Sequence, residues 1–242
     1  MMFLERTKAD MKSVLLKLSG EALAGDKHTG FDEGTVRDVA IQVKKVCDSG
    51  VRIGIVTGGG NFWRGRSSDS IERTKADQIG MLATVMNCVY VSEVFRSIGL
   101  KTKVFTPYAM GDITLVYSKD AVMDALDQGY VVFFAGGTGH PYFSTDTATV
   151  LRAIEMEADA IYLAKSIDGV YDSDPAKNSD ARKYDEIPIS RVIDERLGVI
   201  DLAASVLAFE NKMPMYVFGL NEKDGITESI IGSFTGTVIW VD

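Results

Sequence analysis

Cysteine and histidine are almost missing from this 242-residue chain, at two residues each. Cys47 and Cys88 fall in helix-like stretches without metal-ligand spacing, which argues against a zinc module and for core thiols in a reducing compartment. His28 lies in a loop-like stretch and reads as solvated. His140 has no Cys, His and Asp pattern around it, so a nucleophile-activating triad is not supported. A basic block is absent too. The net charge of −8 argues against a broad nucleic-acid surface and leaves room only for a local cationic pocket. Met1 to Lys12 has no seven-residue apolar stretch, so no secretory signal is read there, and no later run approaches a membrane span. The expectation is a cytoplasmic protein that meets neither nucleic acid nor membrane. Pro/Ser-rich linkers, low-complexity tracts and internal repeats are also lacking.

What is present is alternation. Val14 to Leu18 reads as a strand, and Asp32 as the N-cap of a helix carrying Val36, Val39, Val43 and Val46, with Gly50 placed to end it. Val51 to Val56 is a second strand. A long helix runs from about Thr74 to Ile98, with Ile79, Leu82, Met86, Val89 and Tyr90 along it, and stops at Gly99. A short strand at Val104-Phe105, a helix over Ser118 to Asp127 and a strand over Val131 to Phe134 follow. Then come a helix over Thr145 to Glu157 and a strand over Ala160 to Leu163. The pattern loosens after Asp168 into a turn-rich stretch ending in Asp174-Pro175. Helices over Ser190 to Arg196 and Leu202 to Glu210, and strands over Met215 to Phe218 and Thr237 to Val241, complete the chain. Such alternation predicts an α/β fold, a three-layer αβα sandwich with a mainly parallel central sheet. One domain over residues 12–242 is expected, behind an N-terminal extension, residues 1–11.

Three glycine-bearing segments fall at strand ends, where open parallel sheets bind ligands. They are Lys17-Leu18-Ser19-Gly20, Gly58-Gly59-Gly60-Asn61 and Gly136-Gly137-Thr138-Gly139. Backbone without side chains can approach phosphate oxygens and turn its N–H groups toward them. No Walker A loop occurs, and Gly58-Gly59-Gly60 lacks the further helix-packing glycine of a dinucleotide fingerprint. The spacing points instead to two phosphorylated groups held close together. Lys17 could place a point charge on their oxygens, although a lysine merely capping a strand is an equal reading. Arg64, beside the glycines, could reach a phosphate or lie in solvent. Asp77 near the start of the long helix reads first as a cap, and otherwise as an acceptor for sugar hydroxyls. Ser144 or Thr145 could cap the next helix, and Asp146 could hold a cation, orient a donor or simply favour the first turn.

These residues, in this order, resemble the bacterial-type uridylate (UMP) kinases of the amino acid kinase superfamily. The matching stretches are Lys17 to Leu23, Gly58 to Asn61 with Arg64-Gly65, Gly80 to Asn87, Thr138-Gly139 with Pro141 to Asp146, Asp168 to Tyr171 with Asp174-Pro175, and Asp201 to Ala204. The Met81 to Asn87 and Pro141 to Asp146 stretches are the most specific to this branch. The resemblance implies transfer of a phosphoryl group from ATP to UMP, with Mg²⁺ carried by the nucleotide, inside a pyrimidine nucleotide route. It implies ATP contacts at Lys17, Leu18, Ser19, Gly20, Gly60, Arg64, Lys165, Tyr171 and Asp174. UMP contacts are implied at Gly59, Asp77, Thr138, Gly139, His140, Pro141, Tyr142, Phe143, Ser144 and Thr145. Lys17, Arg64, Asp146 and Asp201 would lie around the reacting phosphates. The N-terminal part would then hold mainly UMP and the C-terminal part mainly ATP. Relatives are commonly hexamers made from dimers, activated by GTP through a loop like Gly25, Asp26, Lys27, His28, Thr29 and Gly30, and inhibited by UTP. Here His140 stands where many relatives carry a small polar residue, and Lys165-Ser166-Ile167 departs from the common pattern.

Phosphoryl transfer asks for positioning and charge neutralisation rather than a strong base, which accords with the scarcity of histidine. Two other readings remain. One is a superfamily kinase acting on a carboxylate or carbamate. The other is a non-catalytic homologue that binds a nucleotide or oxyanion.

Overall fold

The computed structural model describes residues 11–63 and 71–242. Eleven strands and eight α-helices alternate along them. Nine strands form one sheet, in the order β4 (Leu115–Val116), β3 (Thr102–Thr106), β5 (Val131–Phe134), β2 (Arg52–Thr57), β1 (Ser13–Leu18), β6 (Ala160–Lys165), β10 (Met215–Gly219), β11 (Thr237–Trp240) and β9 (Glu186–Pro188). Every neighbouring pair is parallel except β10 and β11. A separate antiparallel hairpin pairs β7 (Val170–Tyr171) with β8 (Lys183–Tyr184).

The central strands are apolar on both faces, as a sheet covered on both sides requires. Successive side chains alternate between two cores. Leu16 and Leu18 enter one, with Ile53, Ile55 and Phe133. Leu15 enters the other, with Val56, Val132, Phe134 and Leu163. The first core is covered by α2 (Glu33–Asp48), α3 (Arg73–Ser97) and α8 (Gly225–Ile231). The second is covered by α4 (Lys119–Asp127), α5 (Thr145–Glu155), α6 (Ile189–Asp194) and α7 (Leu202–Glu210). A short α1 (Gly20–Ala24) follows β1 directly.

Local chemistry sets these helices. Asp32 caps α2 by accepting from the Thr35 N–H at 2.8 Å. Its four valines at 36, 39, 43 and 46 are buried, each stabilising by roughly 1.5 kcal/mol or more. Gly50, at φ +92°, turns the chain into β2. Ser118 caps α4 and Ser144 caps α5 in the same way.

Two expectations need correction. Residues 1–10 of the extension lie outside the described residues, but Met11, grouped with them, is buried in the first core. Among the described residues one helix, α3, is long and apolar enough to cross a membrane, where the sequence reading saw no run of that length. Its Val85, Cys88, Val91 and Phe95 pack into the first core instead, and that burial accounts for the apolar content. Cys88 is a core thiol, pushed up to about 12 by burial, and Cys47 is shifted likewise.

Candidate active site

Because β1 pairs in register with β2 and β6, and β2 with β5, four strands end along one edge of the sheet. That edge carries Ser19-Gly20, the 58–60 glycines, the 136–139 segment and Lys165. Lys17 is two residues beyond Leu15, so the pleat sends it to the same face, toward α5. Only 8% of Lys17 is exposed, and its ammonium pairs with Asp146 Oδ1 in the first turn of α5. A near-buried ammonium beside a carboxylate, at the junction of glycine loops, can offset charge on a transferring group.

Asp201 ties the same helix end in place. It caps α7 through the Ala204 N–H at 2.8 Å. It also accepts from Ser144 Oγ and from Thr147 Oγ1, both at the start of α5. Ser144 in turn accepts from the Asp146 and Thr147 N–H groups. Lys165, at the end of β6, donates to the Val199 carbonyl at 2.7 Å. Burial first and the positive charge of Lys17 second lower its pKa to about 8, against the opposing pull of Asp146 and Asp201. Asp201→Ala should destabilise the fold by about 2 kcal/mol, because a cap is lost and two hydroxyls lose their acceptor. Urea unfolding at neutral pH checks this, and an unchanged midpoint would refute it.

A cleft opens between the start of α3 and the segment before α5. Gly59, Asp77, Gly137, Thr138, His140, Phe143, Ser144 and Thr145 line it, together with Trp63, Arg73, Gly80, Met81 and Thr84. Asp77 does not cap α3. Glu72 does, accepting from the Thr74 and Lys75 N–H groups. Asp77 instead accepts from Arg73 Nε and from the Tyr142 N–H, each at 2.8 Å. That bond braces Tyr142, whose φ of +72° is costly for a side chain of its size. The Arg73 guanidinium lies 5.3 Å from the Tyr142 ring centroid.

The family model for the amino acid kinase family matches residues 12–219. This chain belongs to that family. Among solved structures, it is similar to a UMP kinase from Bacillus anthracis, at 36% identity and a TM-score of 0.92, covering 96% of this chain and 97% of that one. A UMP kinase from Ureaplasma parvum is 30% identical at a TM-score of 0.90, covering 95% and 99%. A uridylate kinase from Archaeoglobus fulgidus is 25% identical at 0.73, covering 93% and 99%.

In this amino acid kinase family member the candidate residues fall into groups. Lys17, Asp146, Asp201 and Lys165 share one electrostatic neighbourhood. Seven of the ten UMP candidates line the cleft, while Gly139, Pro141 and Tyr142 belong to its supporting turn. Leu18 sends its side chain into the core, so only its backbone is at the edge. Ser19 precedes α1 without capping it through its side chain. Tyr171 donates to Asp168, and Asp174 accepts from the Ala176 N–H, so both make these contacts within the segment that follows β6. Arg64 lies outside the described residues. In the 25–30 loop, Thr29 Oγ1 and the Gly30 N–H both donate to the Asn61 carbonyl.

The glycines differ from their expected use. A Cβ on Gly20 would sit 2.5 Å from the Gly58 carbonyl oxygen, and one on Gly59 would sit 2.9 Å from that of Gly80. Their bareness lets the loops close on the protein itself. The sequence reading missed Trp63, Arg73 and Thr84, which reach the cleft from flanking segments. Arg73 and Thr84 had a signal, since each shares a helix face with a named candidate or motif residue. Asp77→Asn should raise KM for UMP about tenfold with kcat little changed, because both its bonds weaken and the Tyr142 turn loosens. Steady-state kinetics with UMP varied checks it, and an effect confined to ATP would count against it.

Proposed function

We propose that this chain is a UMP kinase, transferring the γ-phosphoryl group of ATP to UMP to give UDP and ADP. The carrying observation is the Lys17–Asp146 pair at the meeting of the glycine-bearing strand ends, in a family fold that overlays UMP kinases along nearly the whole chain. UMP would occupy the cleft lined by Asp77, Thr138, His140 and Thr145, in the N-terminal part with the turn before α5. ATP would lie across Lys17, Ser19, Gly20, Gly60 and Lys165, with Tyr171 and Asp174 at its adenosine end. A phosphate oxygen of UMP attacks the γ-phosphorus in line while the bond to the β-phosphate oxygen breaks and ADP leaves opposite. The attacking oxygen is already anionic, so Lys17 serves by offsetting charge and holding geometry rather than by moving a proton.

Magnesium ordinarily takes one or two carboxylates together with substrate phosphates. Among the described residues no three His, Cys, Asp or Glu side chains converge to hold a metal ion. Asp146 fits the smaller role of a single carboxylate beside a nucleotide-borne ion, which when bound would neutralise phosphate charge. Homohexamer formation, activation by GTP at the 25–30 loop and inhibition by UTP complete this reading, in a cytoplasmic pyrimidine route. Exposed Ile79, Leu82, Met86 and Val89 along α3 support the association. The tie from the 25–30 loop to Asn61 supports the effector response. The test is ADP release with ATP and Mg²⁺ across UMP, CMP, acetylglutamate, aspartate and carbamate. Turnover favouring UMP is expected. Turnover of a carboxylate or carbamate, or nucleotide binding without turnover, would overturn the reading.

A further inference from the structure

Gly80, Ala83, Thr84 and Asn87 recur at the spacing that places them along one face of α3. They fall in a stretch that marks this branch, and Gly80 and Thr84 also line the cleft. In the structure that face touches both glycine-rich loops. Gly59 lies against it so closely that a Cβ would come within 2.9 Å of the Gly80 carbonyl oxygen and 3.0 Å of the Ala83 Cβ. Asn87 Nδ2 donates to the Gly58 carbonyl at 2.6 Å and to Asn61 Oδ1 at 2.8 Å. Asn61 Nδ2 donates back to Asn87 Oδ1 at 3.0 Å and to the Gly30 carbonyl at 2.7 Å. One turn earlier, Thr84 Oγ1 accepts from the Gly136 N–H at 2.8 Å and donates to the Met81 carbonyl.

All three polar side chains are buried, with Asn87 at 0%, Asn61 at 2% and Thr84 at 3% exposure. Buried carboxamides are costly unless fully bonded, and here every amide hydrogen of the Asn61–Asn87 pair has an acceptor. An apolar helix face would cover the sheet as well, but it would leave the two loops free to slide. We propose that this face of α3 is a template fixing the distance between the 58–61 loop and the 136–139 loop, with Thr84 and Asn87 as positioning residues. The inference rests on the proposed reaction, in which donor and acceptor must meet in line. An error of about 1 Å in such an arrangement costs on the order of a hundredfold in rate. The 58–61 loop meets both ligands, through Gly59 on the UMP side and Gly60 on the ATP side, so its displacement misaligns two bound ligands and the larger loss belongs in kcat.

Thr84→Val removes the acceptor for Gly136 at constant shape, and should lower kcat at saturating ATP and UMP by about tenfold or more. Thr84→Ser keeps the hydroxyl and should restore most of the rate. The Asn61→Leu/Asn87→Leu double variant removes both carboxamides together, so stability can survive while Gly58 and Gly30 lose their donors. Its kcat should fall at least as far, and by more than its loss of Tm accounts for. The template is overturned if Thr84→Val keeps the wild-type kcat, if Thr84→Ser is as impaired as Thr84→Val, or if the losses appear only in KM. It is also overturned if every rate loss follows Tm. Should the double variant not fold, the Thr84 pair decides alone. A wild-type protein that phosphorylates a different acceptor refutes UMP as substrate, and the same ratios then test the template on that acceptor. A wild-type protein inert with every acceptor removes both.

Discussion

Lys17→Met should lower kcat for UMP phosphorylation by about a hundredfold or more while KM for UMP moves little, the loss typical of one preorganised charge contact. Lys17 sits on the same face of β1 as Leu15, and its stem runs along the second core. Methionine fills a similar volume there, so packing survives. What is lost is the ammonium, and with it one partner of Asp146. A partly buried carboxylate that loses this ion pair destabilises the fold, so rate and stability fall together in the single variant. Lys17→Met/Asp146→Asn separates them. Removing both charges should return most of the lost stability, yet kcat should stay low because the Lys17 ammonium no longer faces the transferring group. Melting curves beside steady-state kinetics at saturating ATP and UMP decide the matter. A folded Lys17→Met protein with kcat near wild type would remove Lys17 from the chemistry.

Much of the framework that places Lys17 was legible in the sequence. The runs that became β1, β2, β5 and β6 are apolar on both faces, and such strands announce themselves by composition. Asp32 marked the start of α2, and Ser144 or Thr145 that of α5, where Ser144 proves to be the cap, since a capping side chain acts within its own four residues. Elements defined by partners far along the chain were not legible. β9 exists because Glu186 to Pro188 pair with β11, some fifty residues later. α8 begins at Asp224 in a left-handed conformation that no local pattern requires. α1 is five residues long, too short for periodicity, and it starts at the glycine that read as open loop. The candidate site divides along the same line. Lys17 and the UMP-side turn could be named from their segments and from resemblance. Resemblance placed Asp201 near the phosphates, and the structure shows it capping α7 and bracing α5. Thr84 and Asn87 stood in a matching stretch, but what they hold could not be read, because their partners come from separate strand ends and meet α3 only in three dimensions.

Lys165 should give the enzyme an alkaline limb that a lysine in water would not. In the free protein its ammonium loses its proton near pH 8, because burial and the charge of Lys17 outweigh the attraction of Asp146 and Asp201. Since kcat/KM reports the free enzyme, kcat/KM for ATP should fall above about pH 8, approaching tenfold per pH unit. Bound phosphates favour the charged form, so the limb in kcat itself should lie at higher pH. Lys165→Arg should abolish the limb, because a guanidinium stays protonated throughout. Stability should move the opposite way. The folded pKa of about 8 lies below the 10.5 of an unperturbed lysine, so between those values the unfolded chain holds more protons. The fold therefore gains stability as pH rises through that window, while the charge that would meet the donor phosphates is being lost. Urea midpoints at pH 7.5 and 9.5 should accordingly rise in the wild type relative to Lys165→Met, in which this contribution is absent. A wild-type midpoint that moves in parallel with the variant, or a kcat/KM for ATP flat to pH 9.5, would place Lys165 among ordinary solvated lysines and take it out of the donor site.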